Sequence, residues 1–145
     1  MTKVIINKSW IKLSAIILTL LLLGCTSIAP FNQIAYEKAT SVKARSMLLM
    51  SKATQPYTTH KDEIAILLLE AQQGYEYAKG RPKNQQSSAQ WAIILSPQRH
   101  SLGGFLHKWK LEKTLSSFYI QEAQKLIGRH FDYISSLESG KINKP

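Results

Sequence analysis

The chain is poor in cysteine, acid, proline and glycine. Its 145 residues include one cysteine, Cys25, which excludes a disulfide within the chain and a metal site built from several thiolates. Only nine Asp and Glu stand against nineteen Lys and Arg, so the formal net charge at pH 7 is +10. Five prolines and seven glycines fall mostly between helical patterns. With no disulfide available, the fold must be held together by packing alone.

The chain also lacks a long apolar run near its start. The apolar stretch 13–23 is interrupted by Ser14 and Thr19, and it is about half of the roughly 20 residues that a transmembrane helix needs. A basic stretch, 1–12, precedes it and carries three lysines and no acid. A basic start followed by a short apolar centre predicts a cleaved secretory signal segment.

The end of this segment, Leu22-Leu23-Gly24-Cys25, resembles the lipobox of bacterial lipoprotein precursors. The resemblance implies cleavage before Cys25 and attachment of diacylglyceryl and an N-acyl chain such as palmitate to that cysteine. Residue 26 is Thr and not Asp, which in a Gram-negative host implies the outer membrane, facing the periplasm. An uncleaved membrane helix fits the short run less well, and an ordinary secreted protein would need a small-x-small cleavage site.

The chain therefore divides into a signal peptide at 1–24, a lipidated tether at 25–30, a helical domain at 31–140 and a frayed tail at 141–145. Three lysines leave with the signal, so the mature part carries sixteen cations and all nine acids. Beside a membrane this charge favours anionic lipid, an acidic envelope polymer or an acidic protein as partner. Export argues against nucleic acid. The alternative is that the basic residues only keep the domain soluble.

The body predicts an all-α fold, a small bundle of about five unequal helices, because apolar residues recur at helical spacing throughout. Gly128, inside the last helix, costs up to about 1 kcal/mol relative to alanine, which a close helix crossing would explain. The first two expected helices cover 31–53 and the stretch from Thr59, as N-cap, to Ala78, with Gly80 as the C′ residue. The third starts at Ser87 or Ser88 and is ended by Pro97, the fourth covers Ser101 to Trp109, and the last covers Ser117 to Leu137, with Gly140 after it.

Cations and tyrosines gather at the end of the second predicted helix, namely Tyr75, Tyr77, Lys79, Arg81 and Lys83. This cluster is suited to binding a phosphate or carboxylate, with Arg81 as a bidentate hydrogen-bond donor. The same segment also makes an ordinary helix end. In that interpretation Lys79 complements the helix dipole, Gly80 adopts the left-handed conformation and Pro82 prevents continuation.

A second cationic segment contains Arg99, His100 and Lys108 around a glycine pair. Gly103 and Gly104 in the first turn of a helix expose backbone N–H groups, which with Arg99 and His100 would form an anion site. The alternative is that the glycines let this helix approach a neighbour closely, while Phe105 and Trp109 fill the core.

Other motifs are weak. Trp91 and Trp109 occupy apolar stripes, where tryptophan is usually a core residue, although a rim contact with a partner is the alternative. No metal site and no cofactor are predicted, and no catalytic residue is assigned, because no nucleophile elbow and no paired acids occur. None of the four histidines has the spacing of a metal ligand pair; they are His60, His100, His107 and His130.

Three functions follow as hypotheses. The preferred one is non-catalytic binding of an acidic or protein partner by an envelope lipoprotein, through a basic face made of the two cationic segments. The second is a pilotin-like or chaperone-like lipoprotein that escorts another envelope protein, its groove lined by Tyr75, Trp91 or Trp109. The third is a small enzyme for cell-wall or lipid material, which needs a polar pocket near His100, Ser101 or His130.

Overall fold

The structure is a computed structural model that describes residues 29–140. The expected signal peptide, Cys25 with the first tether residues, and the tail 141–145 lie outside the described residues. Every regular element within 29–140 is helical, which confirms the all-α prediction. No helix in this range combines the length and the hydropathy needed to cross a bilayer. The helices are α1 (Gln33–Ser51), α2 (Lys61–Gly80), α3 (Gln85–Leu95), α4 (Leu102–Glu112) and α5 (Ser117–Glu138), with a 3-10 turn, Tyr57–His60, before α2.

Helix α1 packs between α2 and α5. The start of α1 meets the end of α5, where the Asn32 N–H donates to the Glu138 carbonyl oxygen at 3.4 Å. These two helices therefore run antiparallel. Helix α3 packs against α2 and α5, and α4 closes the end of the bundle that is remote from residue 29. At that remote end the indole N–H of Trp109 donates to the carbonyl oxygen of Gln55 at 3.0 Å.

The core is built around two buried tryptophans. Trp91 meets Phe131 edge-on with ring centroids 6.0 Å apart, which joins α3 to α5. Trp109 meets Tyr57 edge-on at 5.5 Å, which joins α4 to the turn before α2. Both indoles thus occupy the core positions that the apolar stripes indicate. An aromatic side chain buries roughly 150–250 Å², which at about 25 cal/mol per Å² contributes about 4–6 kcal/mol each.

Three predicted helix starts are wrong by a few residues. Helix α1 begins after Asn32, because the Asn32 side chain caps it by accepting the Ala35 N–H at 2.9 Å. Phe31 therefore precedes the helix, and it is 58% exposed. Thr59 does not cap α2; it lies in the 3-10 turn, and His60 takes the cap position. Helix α3 begins after Asn84, so that Ser87 lies inside the helix and is buried.

Two predicted glycine roles are also wrong. Gly80 is the last residue of α2, and the left-handed residue of the following loop is instead Lys83, with φ of 58°. The close helix crossing occurs at Gly74, where a Cβ would lie 2.6 Å from the Trp91 ring. At Gly128 the nearest atom to such a Cβ is 3.9 Å away, which is ordinary contact and does not require glycine.

Candidate functional site

A groove of about 920 Å³ lies between α4 and the N-terminal half of α5. The loop 97–101 forms one end of it, so three segments of the chain contribute walls. We call this concavity the basic groove. Its floor is apolar and consists of Phe105, Tyr119, Ala123, Leu126 and Ile127, whereas its rim carries Arg99, His100, Lys108, Glu122, Lys125 and Arg129.

An aromatic pair forms the centre of the floor. The rings of Phe105 and Tyr119 stack almost in parallel, with centroids 6.0 Å apart and an interplanar angle of 7°. Phe105 also contacts the buried Trp109 at 6.4 Å. Because Phe105 is itself buried and Tyr119 is half-buried, the floor is continuous with the core. A partner lying on it would meet a rigid apolar surface.

The rim has a surplus of positive charge. Two of its four Lys and Arg have carboxylate partners: Lys125 pairs with Glu122 at 2.7 Å, and Lys108 pairs with Glu112 on α4. The surplus therefore comes mainly from Arg99 and Arg129. Arg99 on the loop and Arg129 on α5 are both exposed at the rim. Charges of one sign around an apolar floor attract the opposite sign and are weakly screened where water is displaced.

The rim charges persist at neutral pH. The hydrogen bond that Lys108 donates to Glu112 raises the pKa of Lys108, and its Nζ also lies 5.1 Å from the centroid of the Tyr119 ring. Burial lowers the pKa of the nearby His130, and the positive charge of Arg129 lowers it further. His130 is therefore mainly neutral at pH 7 and adds little positive charge beside Arg129.

The glycine pair explains how the loop reaches the groove. A Cβ on Gly104 would collide with the carbonyl oxygen of Arg99, and one on Gly103 would collide with that of Leu95. The first turn of α4 therefore packs directly on the backbone of the preceding loop, as the packing interpretation of these glycines predicts. This contact fixes Arg99 and its neighbours at the end of the groove.

Ser101 stands at the N-cap of α4 inside this loop and is buried. Its hydroxyl donates to the carbonyl oxygen of Ser96 at 3.1 Å. This hydrogen bond connects the two ends of the loop. The acceptor is a backbone carbonyl oxygen and not a basic side chain that would activate the serine as a nucleophile.

The other cationic segment lies at the opposite end of the bundle. Arg81 forms an ion pair with Glu138, whose side chain is 1% exposed, and its Nη2 donates to the Pro30 carbonyl oxygen at 2.8 Å. The Asn84 amide donates to the same carboxylate at 3.1 Å, and the Ser87 hydroxyl donates to it as well. The guanidinium of Arg81 thus binds a carboxylate of its own chain.

The structure therefore divides the predicted cations into two groups. Arg99, His100 and Lys108 lie together in the basic groove, while Lys79 and Lys83 are exposed at the end of the bundle near residue 29. The groove also contains two cations that the sequence interpretation omitted, Lys125 and Arg129. The sequence does contain a sign of these two cations: they are four residues apart on the predicted last helix, which places them on one face beside its apolar stripe.

The predicted aromatic contacts are mostly engaged internally. Trp91 and Trp109 are buried in the core, so a partner reaches neither without opening the bundle. Tyr75 and Tyr77 are half-buried: the Nζ of Lys79 lies 5.6 Å from the centroid of the Tyr75 ring, and the Tyr77 hydroxyl donates to an Asn32 side chain at 3.1 Å. The aromatic surface of the groove is instead Phe105 with Tyr119.

A smaller groove of about 300 Å³ lies between α1 and α2. Leu48 and Ile66 are exposed along it, and the ion pair of Arg45 with Glu70, at 2.7 Å, crosses the same region. It offers an apolar surface with one arginine and two glutamates. Both glutamates are paired with cations, Glu70 with Arg45 and Glu63 with Lys52, so no strong charge selects a partner.

Within residues 29–140 no three His, Cys, Asp or Glu side chains are grouped so that they would hold a metal ion. No protein-family model, no curated protein and no solved structure matches the chain. The basic groove and the lipobox resemblance are thus the two sources for a functional conclusion.

Proposed function

We propose that the protein is a lipid-anchored envelope lipoprotein whose basic groove binds an acidic, amphipathic segment of another envelope protein without catalysis. The observation that carries this proposal is one groove with an apolar aromatic floor and a rim of lysine and arginine. The lipobox resemblance at Cys25 supports the anchor.

The groove favours an amphipathic ligand. An apolar floor favours a ligand with an apolar side, which the stacked Phe105 and Tyr119 rings would cover. The cationic rim favours carboxylates along the edges of that ligand, and it disfavours basic partners through like-charge repulsion. An amphipathic helix with acidic flanks presents both features at once.

The length of the groove agrees with a short helix. Its wall on α5 extends from Tyr119 to Arg129, which at 1.5 Å per residue is about 15 Å, or nearly three helical turns. The cations stand on three different segments around it and do not converge on one point. This distribution favours an extended acidic partner over a single small anion.

The lipid anchor increases the chance of meeting such a partner. Two or more acyl chains hold a protein on a membrane far longer than one chain does. Confinement near the membrane raises the effective concentration of other envelope components, so that a groove of modest affinity suffices. In a pilotin-type escort function the same groove would receive a helix of the exported protein.

The anchor has a direct test. Cells that produce the full-length chain are expected to incorporate labelled palmitate into it, and the Cys25→Ser variant is expected to incorporate none and to leave the membrane fraction. Fractionation of both proteins followed by mass spectrometry of the N-terminal peptide measures this. Wild-type protein without acyl groups would contradict the anchor.

The groove is tested by photo-crosslinking in intact cells of the native host. A photoreactive amino acid replaces Ala123, which is half-buried on the floor, or Ala65, which is exposed on α2 outside the groove. Adducts with an acidic, amphipathic peptide are expected from position 123 and not from position 65. Mass spectrometry of the adduct identifies the segment and shows whether an exported protein is involved.

Two charge-reversal pairs complete this test. Arg99→Glu with Arg129→Glu is expected to reduce adduct yield at least about tenfold, which corresponds to about 1.4 kcal/mol. Lys61→Glu with Lys110→Glu changes the net charge equally outside the groove and is expected to leave the yield within about twofold. Equal yields from both pairs would refute the groove as the contact. Arg81 is avoided because its reversal would leave Glu138 buried and unpaired.

A further inference from the structure

The chain is fastened to the domain where the tether ends. The Ala29 N–H donates to the Lys83 carbonyl oxygen at 3.2 Å, and Arg81 donates to the Pro30 carbonyl oxygen at 2.8 Å. The next contact is the bond from the Asn32 N–H to the Glu138 carbonyl oxygen. Three successive contacts, together with the burial of Ala29, hold this segment on the ends of α2 and α5. We call this region the tether end.

Only a short stretch of chain separates the tether end from the cysteine that carries the lipid. Ala29 is four positions after Cys25, and four residues span at most about 14 Å when fully extended. The polar layer on each side of a bilayer is roughly 5–8 Å thick, as the difference between total and hydrocarbon thickness shows. An acylated Cys25 therefore keeps the tether end within about 10 Å of the headgroup layer.

The surface of the tether end suits that location. Phe31 lies within the fastened segment, between Pro30 and Asn32, and is 58% exposed; its ring centroid is 6.5 Å from that of Tyr36. Lys79 and Lys83 are exposed on the neighbouring loop and helix end. The carboxylate of Glu138 is already neutralised by Arg81. Two other acids, Glu37 and Glu76, lie further along α1 and α2 and accept hydrogen bonds from glutamines.

We propose that the tether end is a second membrane contact, in which Phe31 enters the headgroup layer and Lys79 and Lys83 face anionic lipid. Phenylalanine is among the residues that interfacial segments bury at the headgroup boundary, and lysines near an anionic surface are attracted to it. The occupant is thus a lipid surface. This inference rests on the lipid anchor of the proposed function.

The contact also orients the basic groove. Helix α5 ends at the tether end, and the groove lies along it from Arg129 back to Tyr119. At 1.5 Å per residue these positions are about 13 and 28 Å from Glu138 along the helix axis. A domain standing on its tether end therefore presents the groove above the membrane surface, where a protein partner has access.

Nitroxide labelling of the full-length acylated protein tests the contact. Cys25 is the only cysteine and its sulfur is occupied by lipid, so Phe31→Cys and Phe118→Cys each introduce one reactive thiol. Phe118 is the matched control, since it is 76% exposed at the remote start of α5. The labelled proteins are placed in vesicles of phosphatidylcholine with phosphatidylglycerol, and power saturation measures collisions with oxygen and with a water-soluble nickel chelate.

The ratio of oxygen to nickel collisions is expected to be several-fold higher at position 31 than at position 118. Lys79→Gln with Lys83→Gln, or omission of phosphatidylglycerol, is expected to lower the ratio at position 31 alone. Equal ratios at both positions in acylated, vesicle-bound protein would overturn the contact and leave the anchor intact. Protein whose mass shows no acyl groups would overturn the anchor and the contact together.

Discussion

Replacing Glu138 by alanine is expected to lower the free energy of unfolding by about 3–5 kcal/mol, the usual cost of removing one partner of a buried ion pair. The carboxylate is almost fully buried and accepts from Arg81, Asn84 and Ser87. Its removal takes an acceptor from a guanidinium, an amide and a hydroxyl. Arg81 keeps its bond to the Pro30 carbonyl oxygen and Asn84 keeps its bond to the Ala78 carbonyl oxygen, but the buried guanidinium loses its counter-charge and the Ser87 hydroxyl loses this acceptor, which is costly. Urea unfolding followed by circular dichroism measures the loss.

The same helix supplies a control. Asp132 on α5 forms an ion pair with Lys43 at the surface, where the Asp132 side chain is 60% exposed. Asp132→Ala is therefore expected to cost no more than about 1 kcal/mol. A Glu138→Ala variant as stable as Asp132→Ala would show that the buried carboxylate does not hold this end of the bundle.

A double-mutant cycle separates the pair from its surroundings. Combining Arg81→Met with Glu138→Leu removes both charges and fills the space with apolar groups, so this protein is expected to be more stable than Glu138→Leu alone. The double variant still lacks the bond to the Pro30 carbonyl oxygen. Its domain is expected to remain folded while the segment after the tether is held less firmly, which would reduce the nitroxide ratio at position 31.

The sequence predicts the helices well because their signal is local. Apolar residues at helical spacing place Ala39, Val42, Ile64 and Leu67 in the core, where the structure has them. The errors fall at helix ends, where the deciding interactions involve neighbours outside the repeating pattern. Asn32 replaces Phe31 as the true start of α1 because its side chain can accept an N–H and a phenyl ring cannot.

The role of Arg81 depends on a distant residue. Its partner Glu138 is 57 positions away in the chain, and no local pattern relates the two. Glu138 itself falls on the buried side of α5 at a position where an apolar residue is expected. A buried acid in an apolar stripe is thus the one local sign that a cation elsewhere belongs to the fold and not to a ligand site.

The basic groove is predictable only in part, for a similar reason. Arg99, His100 and Lys108 are close in sequence and are found together, whereas Lys125 and Arg129 join them because the N-terminal half of α5 forms another wall of the groove. The floor residues Phe105 and Tyr119 belong to different helices, and their rings stack where α4 meets that wall. Tertiary arrangement is therefore what joins the segment 99–108 and the cations of α5 in one concave surface.

Replacing Gly104 by alanine is expected to destabilise the domain by about 2–3 kcal/mol, whereas Gly128→Ala is expected to stabilise it by up to about 1 kcal/mol. Both glycines lie inside helices, so alanine has the better helix propensity at each site. The difference comes from space, because a Cβ at position 104 would overlap the Arg99 carbonyl oxygen and one at position 128 has room.

The overlap at Gly104 involves backbone, which limits how the structure can relieve it. Either the loop 97–101 moves away, or the first turn of α4 unwinds and exposes Leu102, which is fully buried. Losing the burial of one leucine costs about 1.5–3 kcal/mol, which sets the expected size of the effect. Thermal and urea unfolding of the two alanine variants, measured beside the wild type, test both signs.

The Gly104 variant also links stability to binding. If the loop moves, Arg99 leaves the end of the groove, so the folded fraction of Gly104→Ala is expected to give fewer adducts from position 123 than Gly128→Ala gives. Measurement at a temperature where both variants are folded separates this effect from unfolding. Equal adduct yields would mean that the position of Arg99 does not matter for the partner, and a Gly104→Ala protein as stable as the wild type would contradict the tight packing of α4 on its loop.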